Sequence, residues 1–270
     1  ELMSGIVIGN TLRTSWKQIL YWGLGLGALG LYIDFIASSP DIISGYADLL
    51  SSMPPAVLKA FGASDVAILT TSEGWIVSVF LSEAAIFLSV FAVMAGLNIT
   101  ANDEQSGVMD VILSLPISRA AYMLERWLGY ALIGLAIIVL TAAITVGGLI
   151  GLNIEAQNGV IFASILNLYP GLLLVMTVTS LLATVLRRRS VAIALSAAFV
   201  IVSYLFNAIG AAAGGAAADL MESLSYFSYV HGEAFVLGTY DPANTVVLLL
   251  AALIGFALSL KMFVSRDIGI

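Results

Sequence analysis

Glu83 lies about eight residues into an apolar run long enough to cross a membrane, and no Lys or Arg falls at its depth in any other run. Counting 1.5 Å per residue puts it about 12 Å below the nearer end. An acid near mid-membrane costs about 2.5–3.5 kcal/mol on insertion scales, so Glu83 should be protonated or hydrogen-bonded. Asn167, Tyr204 and Asn207 fall at comparable depth in two later runs, with Tyr169 beside Asn167. Such a polar layer suits a substrate path or outer gate, a proton relay through Glu83, or a hydrogen-bond cluster that packs helices. Asp34, near the end of the first run, reads as interfacial. No Ser/His, His/Glu or Asp/Asp pair sits within the runs, so no catalytic residue is assigned. There is no cysteine and one histidine, His231, which reads as an ordinary loop residue. Disulfides and thiolate sites are therefore excluded, and no metal site is expected. The remaining dense polar chemistry is a charged island, Ala101 to Trp127, holding Asp103, Glu104, Asp110, Arg119, Glu125 and Arg126.

The elements that hold these residues follow from composition. Of 270 residues, 60% are hydrophobic and 10% charged, against about 25% charged in a soluble domain. The chain reads as an all-α integral membrane protein, a single transmembrane domain over 1–270. A net charge of −7 argues against nucleic acid as a partner. The opening residues lack a basic stretch before a short apolar core, so they do not read as a secretory signal.

Six apolar runs reach the roughly 20 residues a spanning helix needs, over 17–38, 75–98, 122–151, 161–186, 190–212 and 244–264. An even number puts both termini on one side. Arg13, Lys17, Arg119, Arg126, Arg187, Arg188, Arg189, Lys261 and Arg266 all fall on that side, and only Lys59 falls opposite. The basic side is read as cytoplasmic. Most acids, including Asp41, Glu73, Asp219 and Glu233, then lie outside. Arg187 to Arg189 read as a positive-inside anchor on membrane lipid.

Four segments lie outside the runs. Residues 1–16 read as an interfacial helix, with Trp16, Tyr21 and Trp22 at interface depth. The external loop 39–74 contains an amphipathic helix with Ile42, Tyr46, Leu49 and Met53 on one stripe, ended by Pro54 and Pro55. The external loop 213–243 has Leu220, Leu224 and Phe227 at helical spacing and reads as an external or re-entrant helix. The Gly/Ala stretch 210–218 reads as a flexible exit from span five rather than a close helix contact. The fourth is the cytoplasmic loop 99–121.

In that loop Asn102 is placed to cap a helix, and Asp103 and Glu104 complement its N-terminal dipole. Asp103, Ser106, Asp110 and Ser114 form a polar stripe opposite Val108, Val111, Ile112 and Leu115. Gly107 falls inside the helix, where it costs up to about 1 kcal/mol relative to Ala, and Pro116 stops it. One reading lays this helix on the membrane surface. The other docks it onto a soluble protein. An acidic polar face without Lys or Arg before Arg119 favours docking, since the cytoplasmic leaflet is anionic.

These residues also carry a resemblance. Glu104, two residues, Gly107, Met109-Asp110, then Leu113-Ser114-Leu115-Pro116-Ile117-Ser118-Arg119 resemble the signature between spans two and three of type-2 ABC exporter permeases. Val108 stands where the pattern has Thr, and Asp110 where it has Glu. Thr11-Leu12-Arg13, Trp22-Gly23-Leu24-Gly25 and LTTSEGW before span two resemble a bacterial efflux branch. The resemblance implies a coupling helix over 102–116 that sits in a cleft of a separate cytoplasmic ABC ATPase. Val111, Ile112 and Leu115 would be its docking ridge, Glu104 and Asp110 its polar contacts, Pro116 and Arg119 would set the turn into span three, and Gly107 would belong to the same ATPase-coupling segment. The chain has no G-x-x-x-x-G-K-(S/T), so ATP and Mg would be bound by two copies of that partner, and this chain would bind no cofactor itself. A second permease chain, the same or different, would complete the transporter in a prokaryotic plasma membrane. Its cargo would be an amphipathic or lipophilic compound moved outward.

Overall fold

The computed structural model describes residues 5–54, 57, 69–109, 117–186, 188–230 and 232–265. Every regular element among them is helical. In chain order they are α1 (Ile6–Ala37), α2 (Pro40–Ser51), α3 (Ser72–Leu97), α4 (Ala101–Gln105), α5 (Arg119–Gly151), α6 (Asn158–Leu166), α7 (Tyr169–Leu186), α8 (Arg189–Ala212), α9 (Ala216–Leu224), α10 (Glu233–Val236) and α11 (Pro242–Ser265). α1, α3, α5, α6 with α7, α8 and α11 are six helices long and apolar enough to cross a membrane. The break at Asn167 and Leu168 precedes Pro170, whose ring starts a new helix more readily than it continues an old one.

The first span differs from expectation. A separate interfacial helix and a span at 17–38 are in fact one unbroken helix from Ile6. Its first turn has no local side-chain cap. Instead Glu125 of α5, which is completely buried, accepts the amides of Gly5 at 3.0 Å, Val7 at 2.9 Å and Ile8 at 3.3 Å. A carboxylate on these orphan donors also meets the positive end of the helix dipole. The helix therefore starts where Glu125 reaches it.

Below that cap α1 packs along α5 through small residues. A Cβ on Gly27 would lie 2.6 Å from Ile144 Cδ1, and one on Gly30 would lie 2.1 Å from Thr145 Oγ1. Gly23 and Gly27 thus make a small-xxx-small contact. Asp34 is a correction: it is fully buried, not interfacial. It sits at the far end of the same seam, where a Cβ on Gly148 would come within 2.5 Å of its Oδ2. The seam runs close enough to α5 to enclose the side chain.

α7 is the hub of the other spans, packing on α3, α8, α11 and α5. Trp127 of α5 donates its indole N–H to Thr177 of α7 at 2.9 Å and lies over Phe256 of α11 at 4.8 Å. Tyr122 of α5 meets Phe263 near the end of α11. The start of α1, the start of α5 and the end of α11 thus gather at one end with the basic residues, as an even number of spans requires.

The opposite end is closed by short elements. Thr71 Oγ1 accepts the Gly74 amide at 3.1 Å to start α3, and Glu73 accepts the Gln157 amide before α6. This is the structural role of the LTTSEGW motif. The stretch 210–218 is also a correction. α8 runs on to Ala212, Gly215 turns with φ +101°, and α9 folds back. A Cβ on Gly210 would then lie 2.9 Å from Glu222 Cβ, so the small residue allows a close contact.

The chain after α9 re-enters the bundle. Ser225 Oγ donates to Ser203 O at 2.7 Å, and the Tyr226 amide donates to Ser203 Oγ at 3.0 Å. Ser203 lies nine residues before the end of α8, about 13 Å below it at 1.5 Å per residue. A break in helix at such depth is tolerated only when buried in protein; the extended Ser225 is fully buried, and Tyr226, which opens a 3₁₀ turn to Tyr229, is buried with its hydroxyl 2.7 Å from Ser89 Oγ of α3.

Candidate functional site

At the basic end the charged island splits into two pieces. α4 covers only Ala101–Gln105, and Gly107 follows with φ +72° and its amide on Glu104 O at 3.2 Å. Gly107 is therefore a left-handed terminator, not a mid-helix residue. The conformation strains any residue with a Cβ. Helix resumes at Val108 and Met109, with Val108 exposed and Met109 buried. Asp110, Val111, Ile112, Leu115 and Pro116 lie outside the described residues. α5 starts at Arg119, and the cap is Ser118, whose Oγ accepts the Ala121 amide at 3.1 Å.

α4 is moored on two sides. Asp103 pairs with Arg126 and accepts the Tyr122 hydroxyl. The Arg126 guanidinium lies over the rings of Tyr122 at 5.8 Å and Tyr130 at 6.0 Å. Tyr122, Arg126 and Tyr130 are spaced by four, so they share one face of α5. Glu125, next in the helix to Arg126, points round to the start of α1 instead. On the other side Asn102 is not a cap, another correction. Its Oδ1 accepts Arg189 Nε of α8 at 2.6 Å, and its Nδ2 donates to Asn98. Arg189 therefore ties the loop to α8 in addition to any anchoring on lipid. On the α8 side of α4 is a cavity of about 460 Å³ lined by Glu104, Gln105, Arg188, Arg189 and Ser190.

Replacing Asp103 with Ala will free α4 from α5 and leave Arg126 half-buried without its carboxylate. The expected loss is about 1–3 kcal/mol, read by thermal unfolding, with faster protease cleavage between Ala101 and Met109. Unchanged cleavage would show that the ion pair does not hold the loop.

The four residues expected to form an intramembrane layer are not brought together. Asn167 is buried and its Oδ1 accepts Thr245 Oγ1 at 2.9 Å and the Tyr240 hydroxyl at 3.4 Å. Tyr204 is partly exposed, with its ring edge-on to Phe227 at 5.7 Å. Asn207 lies one turn further along α8, half-buried. Glu83 is exposed and makes no hydrogen bond or ion pair among the described residues. Equal depth fixes height in the bundle but not direction: Asn167 turns to Thr245 and Tyr240, Tyr204 to Phe227, and Glu83 to a cavity beside α2. Lys59, Arg187, His231 and Arg266 lie outside the described residues.

All six spans fall within the match to the family described as Multidrug efflux system permease Rv1217c, C-terminal domain, which covers residues 7–263. The chain belongs to this efflux permease family. No curated protein matches it. Within this efflux permease the match runs from the first turn of α1 to the end of α11, so it takes in both the Glu125 cap and the moored loop. It is thus a multi-pass membrane protein of a drug-exporting family.

Proposed function

We propose that this efflux permease is the membrane half of an ATP-driven type-2 ABC exporter in a prokaryotic plasma membrane. It moves amphipathic or lipophilic compounds outward and works as a pair of permease chains with two cytoplasmic ATPase subunits, which bind the ATP and Mg. The mooring of α4 carries this reading. A partner that presses on the loop at 102–116 acts through Asp103 on α5 and through Asn102 on α8. Glu104 and the exposed Val108 lie where such a partner would sit, and the Gly107 turn separates the moored half from the half that carries Asp110, Val111, Ile112 and Leu115. The basic bias at this end supports a cytoplasmic location for it.

The test is reconstitution with the neighbouring ATP-binding-cassette protein. ATP-dependent efflux should need both chains, and Glu104→Ala with Asp110→Ala should lower substrate-stimulated ATPase activity about tenfold, the scale of losing a charged hydrogen bond. Efflux that persists without ATPase and without ATP would overturn the proposal. Glu83, which has no partner among the described residues, favours one alternative, a proton-coupled transporter. In that case Glu83→Gln will flatten the pH profile of transport, and an unchanged profile removes it.

A further inference from the structure

α3 does not begin as a regular helix. Ile76–Phe80 is a π-helical segment, set between Trp75 and Glu83. Over eight residues an unbroken α-helix turns by about 800°, which would leave Glu83 roughly 80° round from Trp75. The wider π turn takes up much of that angle. Both residues line a cavity of about 350 Å³ between α3 and α2. Such π insertions recur at functional sites, and this volume is within the range of small-molecule pockets.

The cavity has two kinds of surface. Leu49 and Met53 from the α2 side and Val79 from α3 give apolar walls. Tyr46 and Trp75 meet edge to face, with centroids 5.0 Å apart and planes at 81°. Glu83 supplies a carboxylate, and no Lys or Arg is among the described lining residues. Trp75 is 5% exposed, and its indole N–H has no acceptor among the described residues. A carboxylate with no counter-charge among the described residues, beside aromatic rings and a donor with no acceptor among them, is matched by a ligand that brings a positive charge, apolar rings and an acceptor.

We propose that this cavity binds amphipathic organic cations, with Glu83 as counter-ion, Tyr46 and Trp75 as ring contacts, and the Trp75 N–H as a donor to a ligand acceptor. The proposal rests on the efflux reading for why such a compound is carried, but binding stands apart from transport.

The test is equilibrium binding of tetraphenylphosphonium to the full chain in lipid nanodiscs, with tetraphenylborate as an anion of the same shape and empty nanodiscs subtracted. Saturable binding of the cation is expected, and Glu83→Gln should weaken it about tenfold or more while leaving the anion unaffected. Trp75 is buried, so Tyr46→Ala, which alters a half-exposed ring, provides a variant that keeps the fold and should weaken the cation several-fold. A rhodamine 6G ester tests the donor: Trp75→Phe should weaken it more than it weakens tetraphenylphosphonium. Equal cation affinity in wild type and Glu83→Gln would overturn the proposal. ATP-driven export of a neutral compound without cation binding would sink this site and leave the exporter reading intact. Cation binding that depends on Glu83, with no ATP-driven export, would do the reverse.

Discussion

Replacing Glu125 with Leu will destabilise the protein by roughly 3–5 kcal/mol, the largest loss expected from a single side chain. Three amides, Gly5, Val7 and Ile8, share that carboxylate. Leucine fills similar volume but accepts nothing, so buried donors are left unpaired at about 1–3 kcal/mol each, offset partly by water at Gly5. Glu125→Gln keeps one acceptor oxygen and loses the charge that faces the helix dipole, so it should lose about half as much. Thermal unfolding in detergent gives the magnitude. Amide hydrogen exchange gives the location: Val7 and Ile8 should lose protection in both variants, while amides in the middle of α1 keep theirs. Retained protection at Val7 would mean that something other than Glu125 holds this end.

The second large effect is expected at the α1–α5 seam. Gly30→Ala puts a methyl 2.1 Å from Thr145 Oγ1 and 3.1 Å from its Cβ. One of the two helices must move, at about 1–3 kcal/mol for overpacking. Thr145 Oγ1 has no hydrogen-bond partner, so Thr145→Ala alone should be mild. In the double variant the nearest contact is relieved and part of the loss should return. Melting temperatures of the two single variants and the pair measure this coupling. Additive losses would show that the helices do not meet at this point.

Much of this architecture was legible before any coordinates. Six runs of adequate length became six helices, because length and apolarity are all a span requires. What sequence could not supply was direction around a helix axis and pairing over distance. Glu125 reads as one more charge in an island because its partners lie 117–120 positions away. Glu83, Asn167, Tyr204 and Asn207 share a depth and still face different neighbours. Gly107 reads as a costly residue inside a helix, and its positive φ makes it a terminator instead. Gly210 looked like slack until α9 was seen folding back on it. One missed feature did have a signal: Tyr122, Arg126 and Tyr130 repeat at four, an aromatic-lined cradle for a cation with Asp103 upstream. The π segment had none, since residues 76–80 read as ordinary apolar helix.

The Glu125 cap also sets an order of synthesis. When α1 leaves the ribosome its first turn has no carboxylate to accept its amides, and the one that will do so is made 118 residues after Val7. The chain must complete two spans and begin a third before this turn is sealed. Sealing it is the event that joins α1 to α5, so a chain stalled between them carries an uncapped first turn in α1.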